Sequence, residues 1–99
     1  MEAYVKQHIE NGVGYIKFFH PSHNSLPGNI LAELAQTITD AGMNDDIKVI
    51  VLKSGGDRTF CAGASFNELI NIDDEETGKV FFSGFANVIN AMRKCPKFI

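Results

Sequence analysis

One turn in this chain has the composition of a site that could stabilise negative charge. The small residues Ala62, Gly63 and Ala64 follow a β-rich run, and Ser65 with Glu68 has the spacing of a capping box that opens a helix. Backbone N–H groups at such a turn can be approached closely and carry the positive end of a helix dipole. They could hold the oxyanion that forms when a thioester or amide carbonyl reacts. A turn of small residues is also typical of tight packing alone, so this pattern leaves both interpretations open.

The side chains that could act as nucleophiles or bases form no known catalytic motif. The sequence has no Gly-x-Ser-x-Gly elbow, no Walker loop, no Gly-x-Gly-x-x-Gly fingerprint and no His-Glu-x-x-His pair. Cys61, near a helix start, could be an activated thiol, but a small side chain that fills the turn is the favoured interpretation. His20 and His23, on a proline-rich loop, are more simply exposed histidines than bases. The acidic run Asp73–Glu76 is interpreted as a solvated helix cap.

The cysteines and histidines also give no zinc-binding pattern. Two cysteines in a chain of this length, without a signal peptide, do not indicate a disulfide framework. We therefore expect Cys61 and Cys95 to be reduced thiols, and we expect no metal site.

Composition and charge exclude several classes of function. The 99 residues are 44% apolar and 21% charged, which fits one globular domain at most. The net charge is −3 and the nine Lys and Arg residues are dispersed, so a nucleic-acid partner is not expected. The longest apolar run, Val49–Leu52, is far shorter than a membrane span, and the N-terminus lacks a signal-peptide pattern. These features predict a cytoplasmic protein without membrane association.

The first half of the chain predicts two strands and a helix. Two β-rich runs, Tyr4–Glu10 and Val13–Phe19, flank an Asn-Gly turn and predict a hairpin. The segment His20–Gly28 is rich in proline, serine and glycine and predicts a loop. Apolar residues at steps of three and four then predict a helix over roughly Pro27–Ala41, with Gly42 as its C-cap.

The second half predicts a strand, the small-residue turn and two helices. The β-branched run Ile47–Leu52 predicts a strand that is buried on both faces. A short helix is expected from Ser65 to about Ile70, and a longer one from Asp73–Glu76 to Arg93-Lys94, where Cys95-Pro96 stops it. Lys97–Ile99 predicts the beginning of another strand. The face of the longer helix that we expect to be buried carries the apolar residues Phe81, Phe85, Val88, Ile89 and Met92.

Three segments, in order, carry a family resemblance. Asn24-Ser25-Leu26 stands before the first helix, Asp45–Leu52 combines an acidic pair with a strand, and Gly55–Phe66 contains the turn Phe-x-Ala-Gly-Ala. Together they resemble the N-terminal part of the enoyl-CoA hydratase/isomerase, or crotonase, superfamily, from about Val13 to the last residue. The resemblance implies an α/β fold of the Clp/crotonase type, a spiral of β-β-α units. Residues 1–99 would be the N-terminal part of one such domain, with the remainder absent.

The resemblance also implies roles for individual residues. In the family, the carbonyl of a coenzyme A thioester is held by two backbone N–H groups, and the first of these corresponds to Ala64. Main-chain atoms at Ala62 and Phe66 match the positions that hold the adenine. Arg58 matches a basic residue that often meets a phosphate, although an exposed surface arginine is an equally good interpretation. The remaining residues expected at the coenzyme A and substrate site are His23, Ser25, Gly63 and Ser65.

Two positions depart from the usual family pattern. Ser65 stands where aspartate is most common, but serine caps a helix about as well, so no strict catalytic role for that side chain is implied. Pro27 replaces a more usual polar residue, which a first-turn position tolerates.

Three functions follow from these expectations. The first is an acyl-CoA-binding enzyme of fatty acid metabolism, a hydratase or isomerase of 2-enoyl-CoA that forms a homotrimer or a dimer of trimers. Coenzyme A is then part of the substrate, no separate cofactor is expected, and residues 1–99 alone should be inactive because the second donor and the acid/base glutamates would follow Ile99. The second is a truncated, noncatalytic domain that binds a nucleotide-like ligand or a related subunit. A Clp-type peptidase is the third, but no serine lies in a suitable elbow.

Overall fold

The chain begins with a hairpin, as the sequence predicts. The computed structural model describes residues 2–99. Strand β1 (Tyr4–Glu10) pairs antiparallel with strand β2 (Val13–Phe19), from Tyr4 opposite Phe19 to Glu10 opposite Val13. The two turn residues, Asn11 and Gly12, both have positive φ, at 51° and 81°. These are the conformations that a tight two-residue hairpin turn requires and that asparagine and glycine tolerate.

The loop predicted over His20–Gly28 contains a short strand. Strand β2 is followed by β3 (Ser25–Leu26), which is too short to give a periodic signal in the sequence. Helix α1 (Gly28–Gly42) follows, with Pro27 as its N-cap and Met43 as its C-cap. The helix therefore runs through Gly42, which the sequence predicts as the cap. Its apolar stripe is buried as predicted, at Ile30, Leu31, Leu34, Ile38 and Ala41.

Strand β4 (Val49–Ser54) lies parallel to β2, so that the three-stranded sheet has the order β1-β2-β4. The sequence predicts that this strand is buried on both faces, and that prediction is wrong. Ile50 is buried against α1, but Val51 is 39% exposed and Lys53 is exposed. Within residues 2–99 the helices pack against only one face of the sheet. The opposite face carries a lysine from each strand in one register row: Lys6, Lys17 and Lys53.

The second half supplies a small sheet and two helices. Strand β5 (Gly63–Ala64) pairs parallel with β3 and leads into α2 (Phe66–Leu69). Helix α3 (Glu75–Lys94) then packs along α1, with Gly84 close to the Leu31 side chain. Beyond the helix, Phe98 forms an isolated parallel bridge with Val49, within the segment Lys97–Ile99 where the sequence predicts the beginning of another strand.

The apolar stripe predicted on α3 is correct except at one position. Phe81 and Val88 are buried, and Phe85 and Met92 are half-buried against the core. Ile89 is 55% exposed. Because α3 packs against a single neighbouring helix, the buried stripe is narrow, and Ile89 falls outside it.

Candidate functional site

The small-residue turn is held by hydrogen bonds to the segment that leads into α1. The Ala62 N–H donates to the Asn24 carbonyl at 3.0 Å, and the Ser65 N–H donates to the Leu26 carbonyl at 3.1 Å. Between them, the Ser25 hydroxyl donates to the Ala64 carbonyl at 3.0 Å. The turn is therefore fixed on both sides of Ala64. The Ser25 side chain is committed to this contact.

Gly63 gives the turn its shape. Its φ of +95° is strained for any residue with a Cβ. A Cβ added there would meet no atom within 4 Å, so the space beside the turn is open. A ligand could therefore approach the main chain next to the Ala64 N–H, the geometry that the sequence analysis associates with an oxyanion site. Cys61 accepts a hydrogen bond at its Sγ from the Gly63 N–H at 3.4 Å, as expected of a thiol that fills the turn.

The Asn24 side chain joins the loop after β2 to the loop after β4. Its side chain is 3% exposed, and its Nδ2 donates to the carbonyls of Gly55 and Thr59 at 3.0 and 2.6 Å. Its Oδ1 accepts from the His20 N–H at 2.7 Å. Asn24 also has a φ of 60°, which asparagine tolerates better than most residues. One amide therefore fixes the loop after β2 against the loop after β4.

The cavity next to Asn24 brings together two residues that the family resemblance singles out. His23 and Arg58, which are 35 positions apart, both line a cavity of about 270 Å³ and are both exposed. Phe19 and Gly56 form other parts of its wall. An imidazole and a guanidinium at one cavity can donate hydrogen bonds to a phosphate, which arginine binds in a fork geometry.

The remaining predicted site residues lie along the turn. Ala62 and Phe66 are exposed, Phe66 by 73%, so both are accessible to a ligand. Ser65 is buried and caps α2, with its hydroxyl accepting from the Glu68 N–H at 3.5 Å. The reciprocal half of the predicted capping box is absent. The Ser65 N–H donates instead to Leu26, and the Glu68 carboxylate accepts from the Gly28 N–H, with its two oxygens at 2.9 and 3.1 Å.

A larger cavity lies beside Glu68. Its volume is about 600 Å³, and its walls come from α1, α2 and α3 and from the segment between the last two helices. Its lining is mixed: Ile72, Val80 and Phe81 are apolar, and the polar residues are Glu68, Asn71, Glu76, Thr77 and Asn87. A cavity of this composition could accept an acyl group that carries a polar head.

Two residues of the site, Asn24 and Glu68, were not assigned a site role from the sequence. Asn24 belongs to the Asn-Ser-Leu motif. The signal that could have revealed its role is an asparagine in a loop rich in turn residues, where its side chain readily bonds to the backbone. Glu68 has the correct spacing for a local cap, so its long-range partner has no signal in the sequence.

The structure also bears on metals and membranes. Among residues 2–99, no group of three or more His, Cys, Asp or Glu side chains is positioned to hold a metal ion. In the same part of the chain, no helix is both long enough and apolar enough to cross a bilayer. Both cysteines are free thiols.

Comparison with known proteins identifies the family. The family model described as enoyl-CoA hydratase/isomerase matches residues 8–99. The chain belongs to this family. A solved structure has the same fold: a Legionella pneumophila protein described as an enoyl-CoA hydratase/isomerase (crotonase) superimposes with a TM-score of 0.84 at 25% identity. The match covers 96% of this chain and 38% of the Legionella chain. The fold is therefore that of the N-terminal units of a crotonase.

Two curated relatives are similar to the chain over most of its length. The (7aS)-7a-methyl-1,5-dioxo-2,3,5,6,7,7a-hexahydro-1H-indene-carboxyl-CoA hydrolase of Mycobacterium tuberculosis is 29% identical over 86 residues, which are 87% of this chain. The human mitochondrial enoyl-CoA hydratase domain-containing protein 2 is 27% identical over 88 residues, or 88% of the chain. The chain spans 30% of the length of each of these relatives.

Proposed function

We propose that the whole protein binds an acyl-CoA thioester and stabilises the enolate formed at its carbonyl through backbone N–H groups. The observation that carries this proposal is the turn at Gly63-Ala64. It is fixed by hydrogen bonds to residues 24–26 on both sides of Ala64, and it has open space beside it. Membership of the enoyl-CoA hydratase/isomerase family supports the same class of substrate.

In the proposed mechanism, the Ala64 N–H donates to the thioester oxygen as negative charge develops there. Because the turn is already fixed, little reorganisation is needed at the moment of reaction, and this is what makes such donors effective. We propose that a second donor and the carboxylates that move protons follow residue 99. Two carboxylates would add water across a 2-enoyl-CoA in a hydratase, and one would shift a proton along the acyl chain in an isomerase.

Coenzyme A would lie along the loops that the structure brings together. Arg58 and His23 line one cavity and would meet a phosphate there, while the accessible main chain at Ala62 and Phe66 would hold the adenine. Because its hydroxyl bonds to the Ala64 carbonyl, Ser25 would act by supporting the turn. Coenzyme A is part of the substrate in this proposal, and no other cofactor is required.

Hydrolysis of an acyl-CoA is the second candidate. The Mycobacterium tuberculosis relative and another from Rhodococcus jostii are both named as hydrolases of a carboxyl-CoA compound, each at 29% identity. An enolate or tetrahedral oxyanion could be held by the same backbone donor, so residues 2–99 favour neither reaction. Turnover of the wild type and the variants below is therefore measured with both 2-enoyl-CoA and saturated acyl-CoA substrates.

The proposal is tested by two substitutions at the donor position in the full-length protein. Ala64→Pro removes the N–H and should lower kcat by about 10²- to 10³-fold, the usual cost of an oxyanion donor. Ala64→Ser keeps the N–H and should be mild by comparison. Equal losses in both variants, with both folded by circular dichroism, would assign the effect to the side-chain environment and contradict the proposal.

Binding without turnover would support a different function. If the full-length protein binds coenzyme A by calorimetry but converts no enoyl or acyl thioester, a noncatalytic nucleotide-binding domain becomes the better proposal.

A homotrimer or a dimer of trimers is our proposal for the assembly, and light scattering of the purified protein tests it. We also propose a cytoplasmic location, although the human relative is named as mitochondrial.

A further inference from the structure

Helix α1 begins without a cap from its own sequence. Its N-cap is Pro27, which makes no side-chain cap hydrogen bond, and its first turn has no acidic residue. The first N–H groups of a helix need acceptors, and a carboxylate there also interacts favourably with the helix dipole. That acceptor comes from Glu68, 40 residues later, whose two carboxylate oxygens lie 2.9 and 3.1 Å from the Gly28 nitrogen.

The hydrogen bond between Gly28 and Glu68 is the last in a series that joins residues 24–28 to residues 62–68. Moving along both segments in the same direction, Asn24 bonds with Ala62, Ser25 with Ala64, and Leu26 with Ser65, and Gly28 bonds with Glu68. The parallel ladder between β3 and β5 is only two residues long on each side. A ladder of this length is marginal on its own, so the contact at its end has a large share in holding the turn.

The contact is also the strongest type in the series. Hydrogen bonds to a charged group are roughly twice as strong as those between neutral groups. The Glu68 side chain is half-buried, so the carboxylate is partly shielded from water. A catalytic donor must be held to within about 0.5 Å of its productive position, which a loose turn cannot do.

We propose that Glu68 is a positioning residue, which holds the Ala64 N–H in place by joining α2 to the beginning of α1. This inference rests on the proposed function. It differs from an acid/base role for Glu68, because a positioning role needs a hydrogen-bond acceptor and an acid/base role needs a titrating carboxyl group.

Two variants of the full-length enzyme separate these roles. Glu68→Ala removes the acceptor and should lower kcat by about tenfold or more, below the 10²- to 10³-fold expected when a donor is removed outright. Its KM should stay within about twofold, because an oxyanion donor acts mainly in the transition state. Glu68→Gln keeps a carbonyl acceptor for the Gly28 N–H and should recover most of the activity.

The matched control is Glu33→Ala. Glu33 is an exposed carboxylate on α1 whose side chain makes no hydrogen bond among residues 2–99, so kcat and KM should be unchanged. A Glu68→Gln variant as inactive as Glu68→Ala, or with the wild-type pH profile abolished, would assign Glu68 to acid/base chemistry and overturn the proposal. So would a Glu68→Ala variant that is folded and has wild-type kcat.

A second measurement does not depend on activity. Hydrogen exchange followed by mass spectrometry should show faster exchange in Glu68→Ala, compared with Glu33→Ala, in peptides that cover Gly28 and residues 62–66. Unchanged exchange there would overturn the positioning role even if the wild type converts no thioester. If the wild type is inactive but exchange rises in this turn, the proposed function fails while the structural link between Glu68 and the turn holds.

Discussion

At the scale of single residues, the clearest meeting point is the cavity shared by His23 and Arg58. The two residues belong to different loops, and the buried Asn24 amide brings those loops together. Both side chains are exposed, so both are accessible to a ligand. Their exposure is consistent with the proposed contact to a phosphate of coenzyme A.

If Arg58 meets a coenzyme A phosphate, Arg58→Glu should raise KM for acyl-CoA and leave kcat nearly unchanged. The phosphate is remote from the reacting carbon, so its contact is similar in the ground state and the transition state. Steady-state kinetics at several salt concentrations measure this, and the difference should shrink as salt screens the interaction over about 8 to 10 Å. Lys48→Glu, at the opposite end of β4, is the charge-matched control. Equal KM values for Arg58→Glu and wild type at low salt would contradict the role.

Asn24→Ala should destabilise the protein by about 3 kcal/mol or more. The substitution removes three hydrogen bonds, each worth about 1 kcal/mol, and deprives the buried Gly55 carbonyl and the half-buried His20 N–H of their partner. Denaturant unfolding of the full-length protein measures the change. Asn24→Gly serves as the control, because glycine accepts the positive φ without supplying the amide. Wild-type stability in Asn24→Gly would show that these hydrogen bonds contribute little.

At the scale of elements, the two helices that flank the site begin in different ways. Helix α1 depends on the distant Glu68, whereas α3 has a complete local capping box between Asp74 and Thr77. Asp74 Oδ1 accepts from the Thr77 N–H at 2.7 Å and from its hydroxyl at 2.8 Å. The local cap makes the beginning of α3 predictable to within one residue, because the sequence gives Asp73 and Glu76 the spacing of a capping box and the structure forms it between Asp74 and Thr77. The distant acceptor makes the beginning of α1 dependent on the tertiary fold.

The cap on α3 predicts a pH dependence. The hydrogen bond from the Thr77 backbone, and then that from its side chain, hold the pKa of the Asp74 carboxyl below its usual range. The ionised cap should therefore stabilise the folded state above the ordinary aspartate pKa of about 3.9, and that contribution should be lost as the pH falls through the lowered pKa.

Asp74→Asn, which keeps an acceptor but does not titrate, tests this dependence. The stability difference between wild type and Asp74→Asn should be largest above about pH 5 and should shrink in more acidic solution. Urea unfolding across this pH range measures it, and Asp73→Asn is the control because its carboxylate accepts neither bond from Thr77. A difference that stays constant with pH would contradict the lowered pKa.

At the scale of the whole molecule, the described part of the chain leaves much apolar surface in contact with solvent. The exposed fractions are 88% for Phe98, 71% for Val80 and 55% for Phe82. The outer face of the sheet also has no covering helix within residues 2–99. The chain spans 30% of the length of the curated relatives described above.

Residues 1–99 expressed alone should therefore show no hydration of crotonyl-CoA. The proposed second donor and the acid/base carboxylates are not among them, and one backbone donor cannot supply the whole reaction. Absorbance of the enoyl thioester with and without the purified chain measures this, and the full-length protein is the positive control. Turnover above buffer would contradict the prediction and direct attention to His20, His23 and Glu68 as bases.

The sequence by itself determined the elements whose signals are local. The hairpin follows from an Asn-Gly turn between β-rich runs, and α1 and α3 follow from apolar residues at helical spacing. The three motifs of Asn24–Leu26, Asp45–Leu52 and Gly55–Phe66 were enough to indicate the family. Each of these features involves residues close together in the chain, so its pattern is visible in the sequence alone.

Only the tertiary structure decided how the site is held together. It showed that the Glu68 carboxylate accepts from the Gly28 N–H rather than from the Ser65 N–H, that Asn24 joins two loops, and that a two-residue ladder fixes the turn. It also showed that one face of β4 is exposed. These facts depend on residues about 30 to 40 positions apart, or on which face of an element meets a neighbour. A periodic sequence pattern cannot encode such partners, because their choice is made only when the elements pack.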